Sequence, residues 1–172
     1  ILMNNPIVGL IAYDRENAVA YANKWALLRN PRYADFQEMG GDCTNYASQV
    51  IHAGGCPMNY QKYGWYYNNL NDRAPAWTSV KYLYEFLVNN KSKGPVAVET
   101  DINGIQSGDI IQLNFGWDDR FDHSTVVIDI LPGERTLDKI LIAAHTIDRL
   151  RYPVSNYNFK RIRFLKIKGY RE

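Results

Sequence analysis

The sequence predicts an α+β domain in which helices come first and pack against an antiparallel sheet. Apolar residues recur at helical spacing in the first half of the chain, and after Gly94 their spacing becomes that of strands. The strand-like segments follow one another through short connections, which favours antiparallel pairing over helical crossovers. We therefore interpret the 172 residues as one domain, residues 1–172, with a core over residues 13–168.

Three helices are expected, each beginning after a capping side chain and ending at helix-disfavouring residues. They start after Asp14, at Cys43 and after Thr78 or Ser79, and they stop before Asn30 and Pro31, before Gly54 and Gly55, and near Asn89. Strands are expected at residues 96–98, 110–115, 124–131, 139–144 and 161–168. Residues 7–12 form a further short apolar run, which we interpret as a strand or a leader.

Composition excludes several classes of protein. A net charge of +2 is too small for a dedicated nucleic-acid or membrane-surface binder, and the basic residues of 160–168 alternate with apolar ones as on the solvated face of a strand. No apolar run of about 18 residues is present, so we expect no integral membrane segment. The chain begins at Ile1 without a recognisable signal peptide, and we interpret it as a fragment or a mature form.

Cysteine usage favours free thiols over a disulfide or a metal site. Cys43 and Cys56 would lie at opposite ends of one helix, roughly 15 Å apart at a rise of about 1.5 Å per residue. Two cysteines and three scattered histidines have no zinc-type spacing. We expect no metal and no cofactor.

The most informative segment is GGDCTNYASQVIHAGG, residues 40–55, because it places Cys43 in the first turn of a helix. The positive end of the helix dipole and the unpaired N–H groups there favour the thiolate. Two histidines, His123 and His145, follow far downstream. A single cysteine with a distant histidine is the pattern of a cysteine-dependent acyl-transfer site.

Hairpin geometry predicts that these two histidines face each other. If the turn after the 124–131 strand is centred on Glu134, His123 falls directly opposite His145. In the same register Asp129 would face Lys139, an attractive charge pair. A slip of one residue would move every side chain of one strand to the other face.

A long polar and aromatic loop, residues 57–75, separates the second and third helices and contains Trp65, Tyr66 and Tyr67. Long irregular segments in compact domains are often functional. These rings could line a substrate groove for sugars or peptide stems, or form a lid packed on the core.

Several motifs together resemble the putative amidase domain family of bacteria, which is related to the NlpC-type and CHAP cell-wall peptidases and amidases of papain-like fold. They are WALLRNP from Trp25, GGDCTNYASQ and HAGG around Cys43, WYY at Trp65, WTSV at Trp77, GDIIQ at Gly108, HSTVV at His123 and AAHTIDR at Ala143. The resemblance covers residues 13–167 and implies a papain-like fold with the nucleophile at a helix N-terminus.

The resemblance implies that Cys43 is the nucleophile and His123 the general base, with an orienting residue on the next strand. His145 fits that place, and Asp148 is the alternative. The Cys43 backbone N–H can help to hold the oxyanion. Gln37 has the spacing of the oxyanion glutamine in papain-like proteases, and Asp42 either caps the helix or contributes to the site directly.

The expected function is hydrolysis of amide bonds, in peptide or peptidoglycan-like substrates of the bacterial cell wall, through a thiolate–imidazolium pair. An acyltransferase or transglutaminase-like enzyme with the same two residues is one alternative, and a non-catalytic cell-wall binding module is another. Cell-wall substrates imply an extracellular or wall-associated protein. We expect a monomer that binds no nucleic acid.

Overall fold

The computed structural model describes residues 9–172, so residues 7 and 8 of the predicted apolar run at 7–12 lie outside the described residues. Within that run, Ile11 forms a single antiparallel bridge with Tyr170 near the chain's end. The described chain is an α+β structure, as predicted, with helices gathered early and most strands late.

The helices α1 and α4 begin where capping side chains predict them, whereas the short α3 was not predicted. Asp14 accepts the Asn17 N–H at the start of α1, and Ser79 accepts the Tyr82 N–H at the start of α4. The helix α2 spans the residues predicted for it, and Gly55, at φ +97°, follows its end. The helix bounds are α1 Arg15–Trp25, α2 Cys43–Ala53, α3 Pro75–Thr78 and α4 Val80–Asn89.

One six-stranded antiparallel sheet has the order β3-β8-β4-β5-β6-β7, and β1 and β2 form a separate hairpin. The five predicted strands are present, but sequence analysis missed β1, β2 and β7. Their bounds are β1 Tyr67–Asn69, β2 Asp72–Arg73, β3 Gly94–Thr100, β4 Ile110–Asn114, β5 His123–Ile130, β6 Ile140–Ala144, β7 Arg149–Pro153 and β8 Arg161–Arg171.

The sheet is buried on both faces, and the two faces belong to different apolar clusters. The face that carries Val126 and Ala143 packs against the helices. The face that carries Val127 and Ile142 is covered by loops and by a short 3-10 turn, Val154–Asn156. We call these the helix face and the loop face.

The predicted register of the β5–β6 hairpin is wrong. Val126 pairs with Ala143 instead of Ile142, and beyond an irregularity at Ile128 the residue Asp129 pairs with Leu141 instead of Lys139. The connection is not a symmetric turn about Glu134, because it contains a 3-10 helix at Leu137–Lys139. His123 and His145 are therefore not opposite each other.

Candidate active site

Cys43 begins α2 immediately after a tight turn formed by Gly40 and Gly41, both at positive φ. Its side chain is buried, only 7% exposed. As the first residue of the helix, its backbone N–H has no intrahelical partner. The turn and the helix thus hold a thiol beside an unused N–H donor.

The strand β5 provides the surroundings of this thiol. The pairing of β5 with β6 begins at Val126, and before that point the backbone of Ser124 acts on the Cys43 sulfur and lowers the pKa of the thiol. The Thr44 hydroxyl lies 3.8 Å from the sulfur and 2.9 Å from the Ser124 hydroxyl. Cys43 is therefore held against the beginning of the strand that carries His123.

Burial decides the charge state of both reactive side chains. It raises the pKa of the Cys43 thiol above its usual range, although donors from Ser124 and Thr44 oppose this. It also lowers the pKa of His123 to about 4. At neutral pH the free protein accordingly holds a neutral thiol and a neutral imidazole, in contrast to the ion pair expected from the helix dipole.

His123 is the first residue of β5 and lies on the loop face, 4% exposed. Its ring Nε2 lies 3.3 Å from the Tyr157 hydroxyl, and its centroid lies 5.9 Å from that of Phe115. Among residues 9–172, no hydrogen bond is made by Nδ1 of His123, and none joins His123 to Cys43. One ring nitrogen is thus engaged and the other is open.

Tyr157 is the side chain that links His123 and Cys43, and sequence analysis missed it. Its hydroxyl contacts His123, and its phenol interacts electrostatically with Cys43. It follows the 3-10 turn Val154–Asn156, far along the chain from both residues. No motif or spacing marks it, because only the folding of that turn over the loop face brings it to the site.

His145 is not placed beside His123. It stacks on Tyr46 of α2 at a centroid distance of 4.1 Å, on the helix face. Its Nδ1 lies 2.5 Å from Oδ2 of Asp42, and its Nε2 lies 2.8 Å from the Trp25 carbonyl oxygen. The structure thus places His145 in a buried pair with Asp42 that does not orient His123.

Asp42 precedes Cys43 but turns away from it. Its carboxylate accepts the Phe36 N–H and the Asn45 side-chain amide as well as His145, and it does not cap α2. Burial raises the pKa of Asp42, but the hydrogen bonds from His145, Phe36 and Asn45 outweigh it and lower the pKa below the usual value.

The other predicted site residues also lie elsewhere. Asp148, the alternative orienting residue, forms a two-pronged ion pair with Arg29, both contacts at 2.9 Å. Trp65 is fully buried, donates to the Ser48 hydroxyl and packs on Trp77. It is therefore packed on the core, as one of the two alternatives for this loop predicted, and it does not line a groove. Within residues 9–172 the Gln37 side-chain amide makes no hydrogen bond to Cys43.

Cys43 and Cys56 are both free thiols. In the described chain no three His, Cys, Asp or Glu side chains are grouped so that they could hold a metal ion. Nor is any helix of residues 9–172 both long and apolar enough to cross a membrane.

Comparison with known proteins defines the class. The model of the putative amidase domain matches residues 12–167, nearly the whole chain, so the chain belongs to that family. Membership indicates a hydrolase that acts on amides.

Two curated relatives come from Bacillus subtilis. The chain is 34% identical over 144 residues to the uncharacterized protein YhbB, covering 81% of this chain and 44% of the relative. It is 23% identical over 151 residues to the uncharacterized protein YjcM, covering 82% of this chain and 32% of the relative. The chain thus spans less than half the length of either relative, and no solved structure matches it significantly.

Proposed function

We propose that this chain is a cysteine-dependent amidase in which Cys43 attacks the amide carbonyl and His123 moves the protons. The observation that carries the proposal is the placement of a buried helix-start thiol against the beginning of β5, with Tyr157 contacting His123 and interacting electrostatically with Cys43. A papain-like arrangement and a cell-wall peptide substrate are parts of the same proposal. They rest on the resemblance of the motifs.

The chemistry follows from a neutral resting pair. As the amide enters, the Cys43 sulfur bonds to the carbonyl carbon and the thiol proton passes to Nδ1 of His123, the nitrogen without a partner. The oxyanion is held by the backbone N–H of Cys43 at the helix start. Collapse breaks the C–N bond, and the imidazolium gives its proton to the leaving amine. Water, deprotonated by His123, then releases the acid from the thioester.

Tyr157 is assigned as the positioning residue for His123. A hydroxyl on Nε2 fixes the plane of the ring and leaves Nδ1 for the nucleophile. This is the place that His145 or Asp148 was expected to fill. A phenol stays neutral where a carboxylate would be charged, which agrees with the lowered pKa of His123.

The test is amide release from purified peptidoglycan and from synthetic wall peptides, measured as new amines and by mass. We expect Cys43→Ala and His123→Gln to lose about 10²-fold or more in kcat/KM, and Tyr157→Phe to lose about tenfold. Cys56→Ala, at the other buried thiol, is the matched control and should retain activity. Full activity of Cys43→Ala would refute the nucleophile.

The same assay separates the two alternatives. An acyltransferase would divert product to added hydroxylamine or a peptide amine in preference to water. A binding module would retain wild-type protein on sacculi without releasing any amine. As further proposals, the protein acts outside the cell or at the wall, and it acts as a monomer.

A further inference from the structure

Arg149 has a cation without a carboxylate partner beside the candidate site. Two arginines that are also partly buried have carboxylate partners, Arg15 with Asp109 at 2.8 Å and Arg29 with Asp148 at 2.9 Å. Within residues 9–172 no carboxylate pairs with Arg149, and its Nε–H is buried with no hydrogen-bond acceptor. A buried donor left unsatisfied costs about 1–3 kcal/mol. A buried donor that is left without an acceptor at this cost calls for a functional explanation.

The position of this guanidinium connects it to the reactive pair. It lies 4.4 Å from the centroid of the Tyr152 ring, which packs edge-on against Tyr157 at 5.0 Å. The guanidinium also interacts with the phenol of Tyr157. That phenol in turn contacts His123 and interacts with Cys43. One side chain therefore separates the unpaired cation from the groups proposed to carry out the chemistry.

A second aromatic ring, Phe115, adjoins both His123 and Tyr157, at centroid distances of 5.9 Å and 6.2 Å. Phe115 packs against His123, and Trp117 packs on Phe115 at 5.5 Å while 79% of its own surface is exposed. A ligand that reaches His123 would therefore lie close to apolar rings as well as to a guanidinium. This is the arrangement expected for a ligand with an apolar part and an anionic part.

We propose that Arg149 binds a carboxylate of the substrate, so that the preferred amides are acidic ones whose carboxylate lies near the scissile bond. The proposal rests on the proposed function, because it extends the same site. A guanidinium offers parallel N–H donors that match a carboxylate, and a bound carboxylate would provide the acceptor that the Nε–H lacks. The Tyr152 ring, which lies against the Arg149 guanidinium, fixes the plane of its N–H donors.

Two alkylating agents of nearly equal size test this without a known substrate. Iodoacetate is an anion at neutral pH and iodoacetamide is its neutral counterpart. With either, the Cys43 sulfur bonds to the methylene carbon, iodide leaves, and the thiol proton passes to His123 or to solvent. The measurement is the ratio of the two rates at Cys43, located by mass mapping and divided by the same ratio in the urea-unfolded chain.

We expect the folded chain to favour iodoacetate by about tenfold, the size of one charge-assisted hydrogen bond. Arg149→Gln should abolish the preference, and Arg149→Lys, which keeps the charge without the fork, should retain part of it. The matched control is Arg151→Gln, because Arg151 is exposed and paired with Asp129. Thermal unfolding checks that each variant is folded. An unchanged preference in folded Arg149→Gln, or none in the wild type, overturns the proposal.

A second measurement does not depend on the reactivity of Cys43. Sodium acetate is titrated into the Cys43→Ser chain while the NMR resonance of the Arg149 Nε–H is followed. A saturable shift that is absent with acetamide supports the carboxylate site, and no shift overturns it. If neither reagent alkylates folded Cys43 while acetate still binds, the nucleophile fails and the carboxylate site stands.

Discussion

At the scale of single residues, Asp42, which precedes Cys43, and its partner His145 are polar side chains whose role is structural. Both ring nitrogens of His145 face oxygen atoms that can only accept, a carboxylate and a backbone carbonyl, so both must donate. His145 and Asp42 therefore form a buried, fully hydrogen-bonded pair. Removing His145 would take the shortest hydrogen bond from the buried Asp42 carboxylate and leave it the more distant Arg29 Nε, at 3.6 Å, which is more costly than losing both partners.

We predict that His145→Gln lowers the free energy of unfolding by about 3–5 kcal/mol, measured by urea denaturation. Asp42→Asn should cost a similar amount, and the double variant should cost less than the sum. The fraction that remains folded should keep the pH profile of wild-type amide hydrolysis, because neither side chain touches His123. A variant that is fully stable but inactive would show instead that His145 is catalytic.

At the scale of elements, the turn before α2 sets the position of Cys43. A Cβ added at Gly41 would lie 2.8 Å from the Thr146 hydroxyl, which accepts the Asp42 backbone N–H. Gly41 also has φ +107°, where other residues are strained. Gly40 has a similar φ of +98°, but an added Cβ there meets nothing within 4 Å. Alanine at Gly40 would therefore introduce backbone strain alone, whereas alanine at Gly41 would add a steric contact.

We predict that Gly40→Ala and Gly41→Ala each destabilise the fold by about 1–2 kcal/mol through the backbone alone, measured by urea unfolding. Gly41→Ala should cost about 1 kcal/mol more and should also change the alkylation rate of Cys43, because Thr146 must move away from Asp42. Gly40→Ala should leave that rate unchanged. Equal effects of the two variants on Cys43 would contradict the steric argument.

The elements also show how far the sequence could predict this fold. The limits of α2 were predicted to the residue, because glycines set them locally at both ends: Gly41 lies just before the helix and Gly54 caps its end. The β5–β6 register was not predicted correctly, because β6 is buried on both faces. A strand that is apolar throughout does not show which of its side chains point to which face of the sheet. Trp65 could not be distinguished as core or groove for a related reason: its partners, Ser48 and Trp77, come from separate segments.

At the scale of the whole molecule, the candidate site lies where the sheet leaves a gap. The β6 strand ends at Ala144, short of the beginning of β5, and the start of α2 lies against the end of β5 that β6 leaves unpaired. The loop face supplies His123 and Tyr157, while α2 on the helix face supplies Cys43. Because the site joins both faces, local unfolding of either would separate its parts.

Burying a neutral histidine at this junction makes the stability of the whole chain depend on pH. The pKa of His123 is about 4 in the folded state, below the ordinary value of 6.5 that applies when unfolded. The unfolded chain therefore binds a proton between these values that the folded chain does not, so stability is full above pH 6.5 and falls toward pH 4. The change is about 3 kcal/mol across the window.

We predict that urea unfolding from pH 7 to pH 4.5 shows this slope and that His123→Gln reduces it, by up to about 1.4 kcal/mol per pH unit. An equal slope in both chains would mean that His123 titrates as an exposed histidine, and the neutral resting pair would then be wrong.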